Sequence, residues 1–419
     1  LGSSLVAQPF AQAKYFHPRP SAANYDPMAM AGSNLARTNP ELHKAVEERL
    51  NSIAAQGYAI HILAPNIELY PEDQAYFQKL GFALHSYPLQ KMGTNPVADS
   101  KTMLAIYQHL RAIQPTKVLS YTIKPVIYGT IAAYLAKVPE RYILLSGLGF
   151  AFQDDQSAGR LKYVKQLFNQ IFRFALRQAT AVIFQNADDL ALVRELKHLP
   201  VHIPTHIVNG SGVNTEKFAP QPLLLDEHNH PQPIFLMVGR LLKDKGVYEY
   251  IAAAKQIKQH YPQAHFHLVG WIDENPAAIA QEDLEEWIAS GLIQYWGKLS
   301  DVRQAICQAN IFVLPSYREG IPRSVLEAMA MRRAIITTDA PGCKETVIDG
   351  QNGFKVPVRD ADALAQAMQR LIEQPVQIEW MAANSLVLVQ QRYEVKQVNQ
   401  QMLQAMQFVT DSSVSTPST

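Results

Sequence analysis

Two acidic residues with seven positions between them, Glu319 and Glu327, are the first sign of chemistry in the chain. They lie in the stretch 315–354. Before it, the apolar run 311–314, closed by Pro315, reads as a strand buried on both faces. A loop follows, then residues 324–330 with strong helix formers, then a second buried run at 334–338. Strand, loop, helix, strand is a βαβ unit, so the loop lies at the carboxyl edge of a parallel sheet, where ligands bind. Glu319 falls in that loop and Glu327 one turn into the helix. A helix start favours anions, so carboxylates placed there suit a ligand carrying both hydroxyls and phosphates. A solvated helix-start carboxylate held by the macrodipole is the plain alternative.

A second constellation is Gly239-Arg240-Leu-Leu-Lys-Asp-Lys245-Gly246, after the apolar run 235–238 and before a helix at 248–260. Gly239 lets the backbone approach a ligand closely, and the two cations can reach a diphosphate. An ordinary solvated βα loop would read the same way. Asn209-Gly210-Ser211-Gly212 fits a tight bend beside a cleft, or a plain turn. Asp360-Ala-Asp362 opens a helix, where an aspartate caps the first turn, so it is read as a cap and no metal site is expected. Cys307 and Cys343 make neither a metal spacing nor a disulfide framework, which fits a reducing cytoplasm.

These pieces need elements to hold them. A chain of 419 residues has room for about two domains, each with its own core. With 47% hydrophobic and 18% charged residues, wholesale disorder is excluded. A formal charge of +1 excludes a general nucleic-acid binder. No apolar run reaches the ~18 residues of a membrane span, and no signal peptide is expected. Runs at 58–64, 82–87, 118–121, 141–146 and 181–185 read as strands alternating with helical stretches such as 99–113. That pattern is a doubly wound parallel sheet, a first domain over 55–217. A Pro-, His- and Asn-rich linker, 218–233, leads to a second domain, 234–375, with strands at 234–238, 265–270 and 293–296. Helices over 376–408 and a polar, disordered tail, 409–419, complete the chain.

The paired glutamates, with Gly320-Ile321-Pro322-Arg323 before the helix and Pro341-Gly342-Cys343-Lys344-Glu345 after it, resemble the signature of family 4 retaining glycosyltransferases of the GT-B architecture. The resemblance implies an α/β fold of two Rossmann-like, doubly wound parallel-sheet domains facing across a cleft, with the last helix crossing back onto the first domain. It assigns Arg240 and Lys245 to the departing nucleoside diphosphate, Glu319 to the transferred hexose and Glu327 to the ribose. Backbone around Ile321, Pro322, Arg323, Ser324 and Val325 would hold phosphate. No cofactor and no divalent ion would be needed. The donor, a nucleotide sugar and most simply a UDP-sugar, is a substrate.

The strings Tyr121-Thr122-Ile123-Lys124-Pro125 and Ser146-Gly147-Leu148-Gly149-Phe150 look like the subgroup that extends polyprenyl-diphosphate-linked glycans. Lys124, Gly147 and Gly149 would then face the acceptor. The stretch 156–178 has no acidic residue, and Lys162, Lys165, Arg173 and Arg177 fall within about a third of a helix circumference. Leu161, Val164, Phe168, Ile171, Phe172 and Ala175 cover the opposite side. Such a helix lies on an anionic membrane or grips a pyrophosphate; alternatively its apolar face packs on the first sheet. The expected enzyme is a hexosyltransferase working on a lipid-linked glycan, cytoplasmic and peripheral on the inner face of the inner membrane. Two rivals stand beside it: a GT-B transferase on a soluble acceptor, and a catalytically impaired nucleotide-sugar-binding protein. Nothing in the sequence fixes an oligomeric state.

Residues 1–54 are different. They resemble part of the C subunit of the potassium-transporting P-type ATPase and occupy the place where the glycosyltransferase's first strand and loop belong. The first domain is therefore expected to lack its first strand, which would favour the impaired-protein rival.

Overall fold

A computed structural model describes residues 26–32, 47, 50–90, 95–148, 160–273 and 275–408, with backbone alone for 160–165 and for 26–32 apart from Met28. The first sheet contains β1 (Asp26–Gly32), β2 (Tyr58–Pro65), β3 (Ala83–Tyr87), β4 (Lys117–Tyr121), β5 (Glu140–Leu145), β6 (Ala181–Phe184) and β7 (Thr205–Ile207), in the order β3-β2-β1-β4-β5-β6-β7. The second contains β8 (Ile234–Val238), β9 (His265–Val269), β10 (Gln294–Tyr295), β11 (Ile311–Leu314), β12 (Ala334–Thr338) and β13 (Gly353–Val356), in the order β10-β9-β8-β11-β12-β13. Neighbouring strands are parallel throughout both sheets. The order reverses between β1 and β4 in one sheet and between β8 and β11 in the other, which are the crevices where ligands bind in doubly wound sheets.

The second sheet follows from its sequence. Ile234–Val238, Ile311–Leu314 and Ala334–Thr338 are buried at every position, as strands covered by helices on both faces must be. Tyr250, in the helix Val247–His260, is 0% exposed and uses its hydroxyl to bridge the carbonyls of Phe235 and His267. The linker is tied down as well. The buried Asn310 side chain accepts from Leu224 N at 2.9 Å and donates to the carbonyls of Leu224 and Gln232 at 2.7 and 2.9 Å.

The first domain corrects the sequence reading: it does not lack its first strand. β1, drawn from the ATPase-like segment, runs through the middle of the sheet, with Met28 opposite Ile60 on one side and Lys117 on the other. Met28, Leu50 and Ile53 are buried in the same apolar cluster as Ile60, Ile62 and Tyr142. The described residues 26–32, 50 and 53 of that segment are thus part of the first domain. Asp-Pro-Met-Ala-Met-Ala-Gly has no β-branched residue, so nothing in its composition announces a strand.

The two domains are joined twice. The chain crosses at 209–215 and returns at 393–395, where Val213 N donates to Tyr393 O at 2.8 Å and Val395 N to Val213 O at 3.0 Å. Gly212 has φ +71°, and a Cβ there would lie 2.7 Å from Val395 Cα, so the crossing strands need glycine. Beyond the crossing, the helix Val395–Ala405 brings Met402, Leu403 and Ala405 into the first domain's core, followed by Met406 and Phe408. No helix among the described residues is long and apolar enough to cross a membrane.

Candidate active site

Three loops at the carboxyl edges of β8, β9 and β11 build the site. Gly246, in the loop after β8, has φ +74°, and a Cβ there would lie 2.2 Å from Pro315 O. Asp244 O accepts from Tyr317 N at 2.9 Å and from Ser316 Oγ at 3.2 Å. The cationic loop is therefore laced to the glutamate loop by backbone, and Lys245 Nζ meets Glu319 Oε1 as an ion pair. Gly239 packs its carbonyl against Gly270, where a Cβ would stand 2.0 Å away. Arg240 reaches instead to Asp273, 3.1 Å distant, and remains 45% exposed.

Past the loop, Pro322 occupies the N-cap of the helix Arg323–Ala330 and gives no side-chain cap to its first-turn amides. Among the expected phosphate-holding residues, Val325 N already donates to Pro322 O at 3.1 Å. Ile321 is buried against Gly210, where an added Cβ would lie 2.8 Å from the Ile321 Cβ. Glu327 is 3% exposed and accepts from Arg323 Nε at 2.8 Å. Burial pushes its carboxyl above the usual range; Arg323 and Lys217 work against that, and Asp301 adds to it. Lys217 in turn is held below the ordinary lysine range, first by burial and then by Arg303. Of the four residues expected to do chemistry, Lys245 and Glu319 touch. Arg240 and Glu327 each have a partner of their own.

Several expectations change here. Lys124 lies in the first turn of the helix Ile123–Leu135 and donates to Gln90 O at 2.7 Å and Asp99 Oδ1 at 3.0 Å. Its ammonium is thus paired with Asp99, as Lys245 is with Glu319 and Arg240 with Asp273. Gly147 faces the second domain, its absent Cβ only 3.1 Å from Gly320 N. Gly149 and the side chains of Lys162 and Lys165 lie outside the described residues. On the helix Arg160–Arg177, Phe172 and Ala175 are buried and Phe168 and Ile171 pack beside them, so this apolar face belongs to the first domain's core. Arg173 is half-buried and adds to the burial that lowers the His198 pKa, while Arg177 is exposed. Asp360 caps its helix as expected, accepting from Ala363 N at 2.8 Å.

Residues the sequence reading passed over hold the site together. Asp189 pairs with Arg318, Asn186 reaches Gly320, and Asp273 takes Arg240. Asn186-x-x-Asp189 directly after the run 181–185 is an N-cap pattern at a sheet edge, and that much was readable. The pairing across 129 positions was not.

Residues 232–374 match the family model described as "Glycosyl transferases group 1", and residues 38–186 match "Glycosyl transferase 4-like". This chain belongs to the family 4 glycosyltransferases of the GT-B fold. Over 357 residues the glycosyltransferase is 29% identical to the N,N'-diacetylbacillosaminyl-diphospho-undecaprenol alpha-1,3-N-acetylgalactosaminyltransferase of Campylobacter jejuni, covering 83% of this chain and 88% of that protein. It is 28% identical over 291 residues to the UDP-Gal:alpha-D-GlcNAc-diphosphoundecaprenol alpha-1,3-galactosyltransferase of Escherichia coli, covering 67% and 72%. The sucrose-phosphate synthase of Thermosynechococcus elongatus shares its fold, with TM-score 0.72, 20% identity, and coverage of 90% and 98%. Residues 1–65 also match "K+-transporting ATPase, c chain", so β1 falls in that match and β2 falls in both it and the glycosyltransferase match.

Proposed function

We propose that this glycosyltransferase moves a hexose or N-acetylhexosamine, with retention and without a metal ion, from a UDP-sugar to a polyprenyl-diphosphate-linked glycan. The observation that carries the reading is the Lys245–Glu319 contact at the switch point of the second sheet, facing the first domain. Arg240 and Lys245 draw out the diphosphate as negative charge builds on it. Glu319 accepts from a hydroxyl of the departing hexose, and Glu327 from the ribose. The acceptor hydroxyl attacks on the face the diphosphate leaves and gives its proton to the leaving phosphate oxygen. The names of the Campylobacter and Escherichia relatives support a lipid-linked acceptor, and the latter supports a UDP-sugar.

A membrane-facing surface fits the same reading. Leu167 (59% exposed) and Phe174 (45%) share one side of the helix Arg160–Arg177. Tyr134 meets Phe174 edge-on at 6.3 Å, and the exposed Leu135, Lys137 and Arg177 complete the apolar and basic mixture. The enzyme then works as a peripheral protein on the inner face of the inner membrane. Incubation with a panel of nucleotide sugars and membrane extract, read by mass spectrometry, tests the transfer. A lipid product gaining one hexose or N-acetylhexosamine is expected; sugar appearing only on water-soluble acceptors overturns the acceptor assignment.

A further inference from the structure

The loop that carries Glu319 is gripped from the opposite domain. Asp189, 0% exposed, lies in the first turn of the helix Ala187–Glu195 and accepts from Arg318 Nε at 3.1 Å and from Arg318 Nη2. Asn186 caps that helix, its Oδ1 accepting from Asp189 N at 2.8 Å. Its Nδ2 lies 3.1 Å from Asp189 Oδ2, 3.1 Å from Gly320 O and 3.4 Å from Glu319 O. Beside it, Lys344 Nζ sits 2.8 and 3.0 Å from the two carboxylate oxygens of Asp188. Backbones meet as closely: a Cβ on Gly320 would be 2.2 Å from Gln185 Oε1 and 2.6 Å from Ser146 O.

Both neighbours of Glu319 are thus fixed by the first domain, while its carboxylate is fixed by Lys245 of the second. Asp189 and Arg318 can pair only when the two domains are docked, so the pair specifies that arrangement, and removing one partner leaves the other's charge buried and unmatched. We propose that Asp189 and Asn186 are positioning residues which make the placement of the Glu319 carboxylate conditional on closure of the two domains. The sugar is then seated for transfer only when the acceptor-side domain is docked, and donor held by the second domain alone is protected from hydrolysis. The proposal rests on the reading of Glu319 as the group that meets the transferred sugar.

The test compares wild type, Asp189→Asn, Arg318→Met and the double variant in the full chain. UDP affinity is read by calorimetry, kcat and donor KM by turnover, and domain separation by small-angle scattering. The expected result is a loss in kcat of at least tenfold in each single variant, with no further loss in the double. UDP affinity stays within twofold of wild type, and the radius of gyration rises. Wild-type kcat in the variants, multiplying losses, or a fall in UDP affinity as large as that in kcat would overturn the proposal. Scattering needs no activity: an unchanged radius of gyration overturns closure control, whereas a wild type that turns over no nucleotide sugar removes the reading of Glu319 instead. Arg318→Lys keeps the charge without the two-pronged geometry and folds most readily; it is expected at an intermediate kcat, and wild-type kcat there is equally fatal.

Discussion

Lys245 and Glu319 form an ion pair in which each side chain is less than a fifth exposed, 18% and 15%. The two belong to loops that follow β8 and β11, adjacent strands at the point where the sheet order reverses. Removing the negative charge leaves the ammonium in the same partly buried place without its partner. Glu319→Gln is therefore expected to lower stability by only about 1 kcal/mol, because the pair keeps some solvent. Its kcat should fall by about 10²–10³, the range for losing one oriented polar contact in a transition state. Denaturant titration and turnover measured on the same preparation check both; an unchanged kcat would exclude Glu319 from the sugar site.

Arg323 and Glu327 give a pH-dependent expectation. Burial raises the Glu327 carboxyl and Arg323 holds it down, so Arg323→Met leaves a buried carboxylate opposed by little else. The loss should be about 3 kcal/mol at neutral pH. A carboxyl raised in the folded state costs nothing below its unfolded pKa and its full amount above the folded one, so the deficit shrinks as pH falls through the folded value and Glu327 takes up a proton. Melting temperatures from pH 8 to 5 test this; a deficit constant over that range contradicts it.

Two histidines, the half-buried His85 and the buried His267, act in the opposite direction. Burial, with His61 and His109 close by, holds His85 down to about 4, and burial does the same for His267. An imidazole depressed in the folded state contributes stability above its unfolded pKa of about 6.5, and the contribution is lost as pH falls toward the folded value. The wild-type melting temperature should drop between pH 6.5 and 4.5, the buried His267 costing on the order of 1–3 kcal/mol and the half-buried, solvent-screened His85 less. His85→Phe should flatten part of that slope, as followed by calorimetry; an identical slope would place His85 outside the effect.

β1 carries the most unexpected structural claim. If the ATPase-like segment is a central strand, Met28→Ala should cost about 2–5 kcal/mol, as for other buried large-to-small changes. Hydrogen exchange should show faster exchange in β2 and β4 and leave the second sheet unaffected. Wild-type stability and exchange would mean that the segment is not part of the sheet.

The contrast between readable and hidden parts has a physical cause. Ile234–Val238, Ile311–Leu314 and Ala334–Thr338 stood out because strands buried on both faces need continuous apolar runs. β1 lies just as centrally in its sheet but is built from aspartate, proline, alanine, methionine and glycine, and β7 and β13 are three and four residues long. In the candidate site, Lys245 and Glu319 stood out because each lies in the loop that follows a buried strand at the sheet's carboxyl edge. The helix Ile123–Leu135 was not legible at its start, because Pro125 reads as a breaker, whereas here it sits inside the first turns, where proline is tolerated. The basic helix was half understood: its periodicity gave two faces, but periodicity does not say which apolar side the first sheet takes. Asp189 and Arg318 were beyond reach, since nothing local to either residue specifies a partner in the other domain.

The most direct test of the account is turnover of nucleotide sugar by wild type and by Lys245→Ala, with folding checked by circular dichroism. Wild type should release UDP and transfer sugar, and Lys245→Ala should lose at least a hundredfold in kcat with its melting profile nearly intact. A folded Lys245→Ala protein that turns over at the wild-type rate would contradict it.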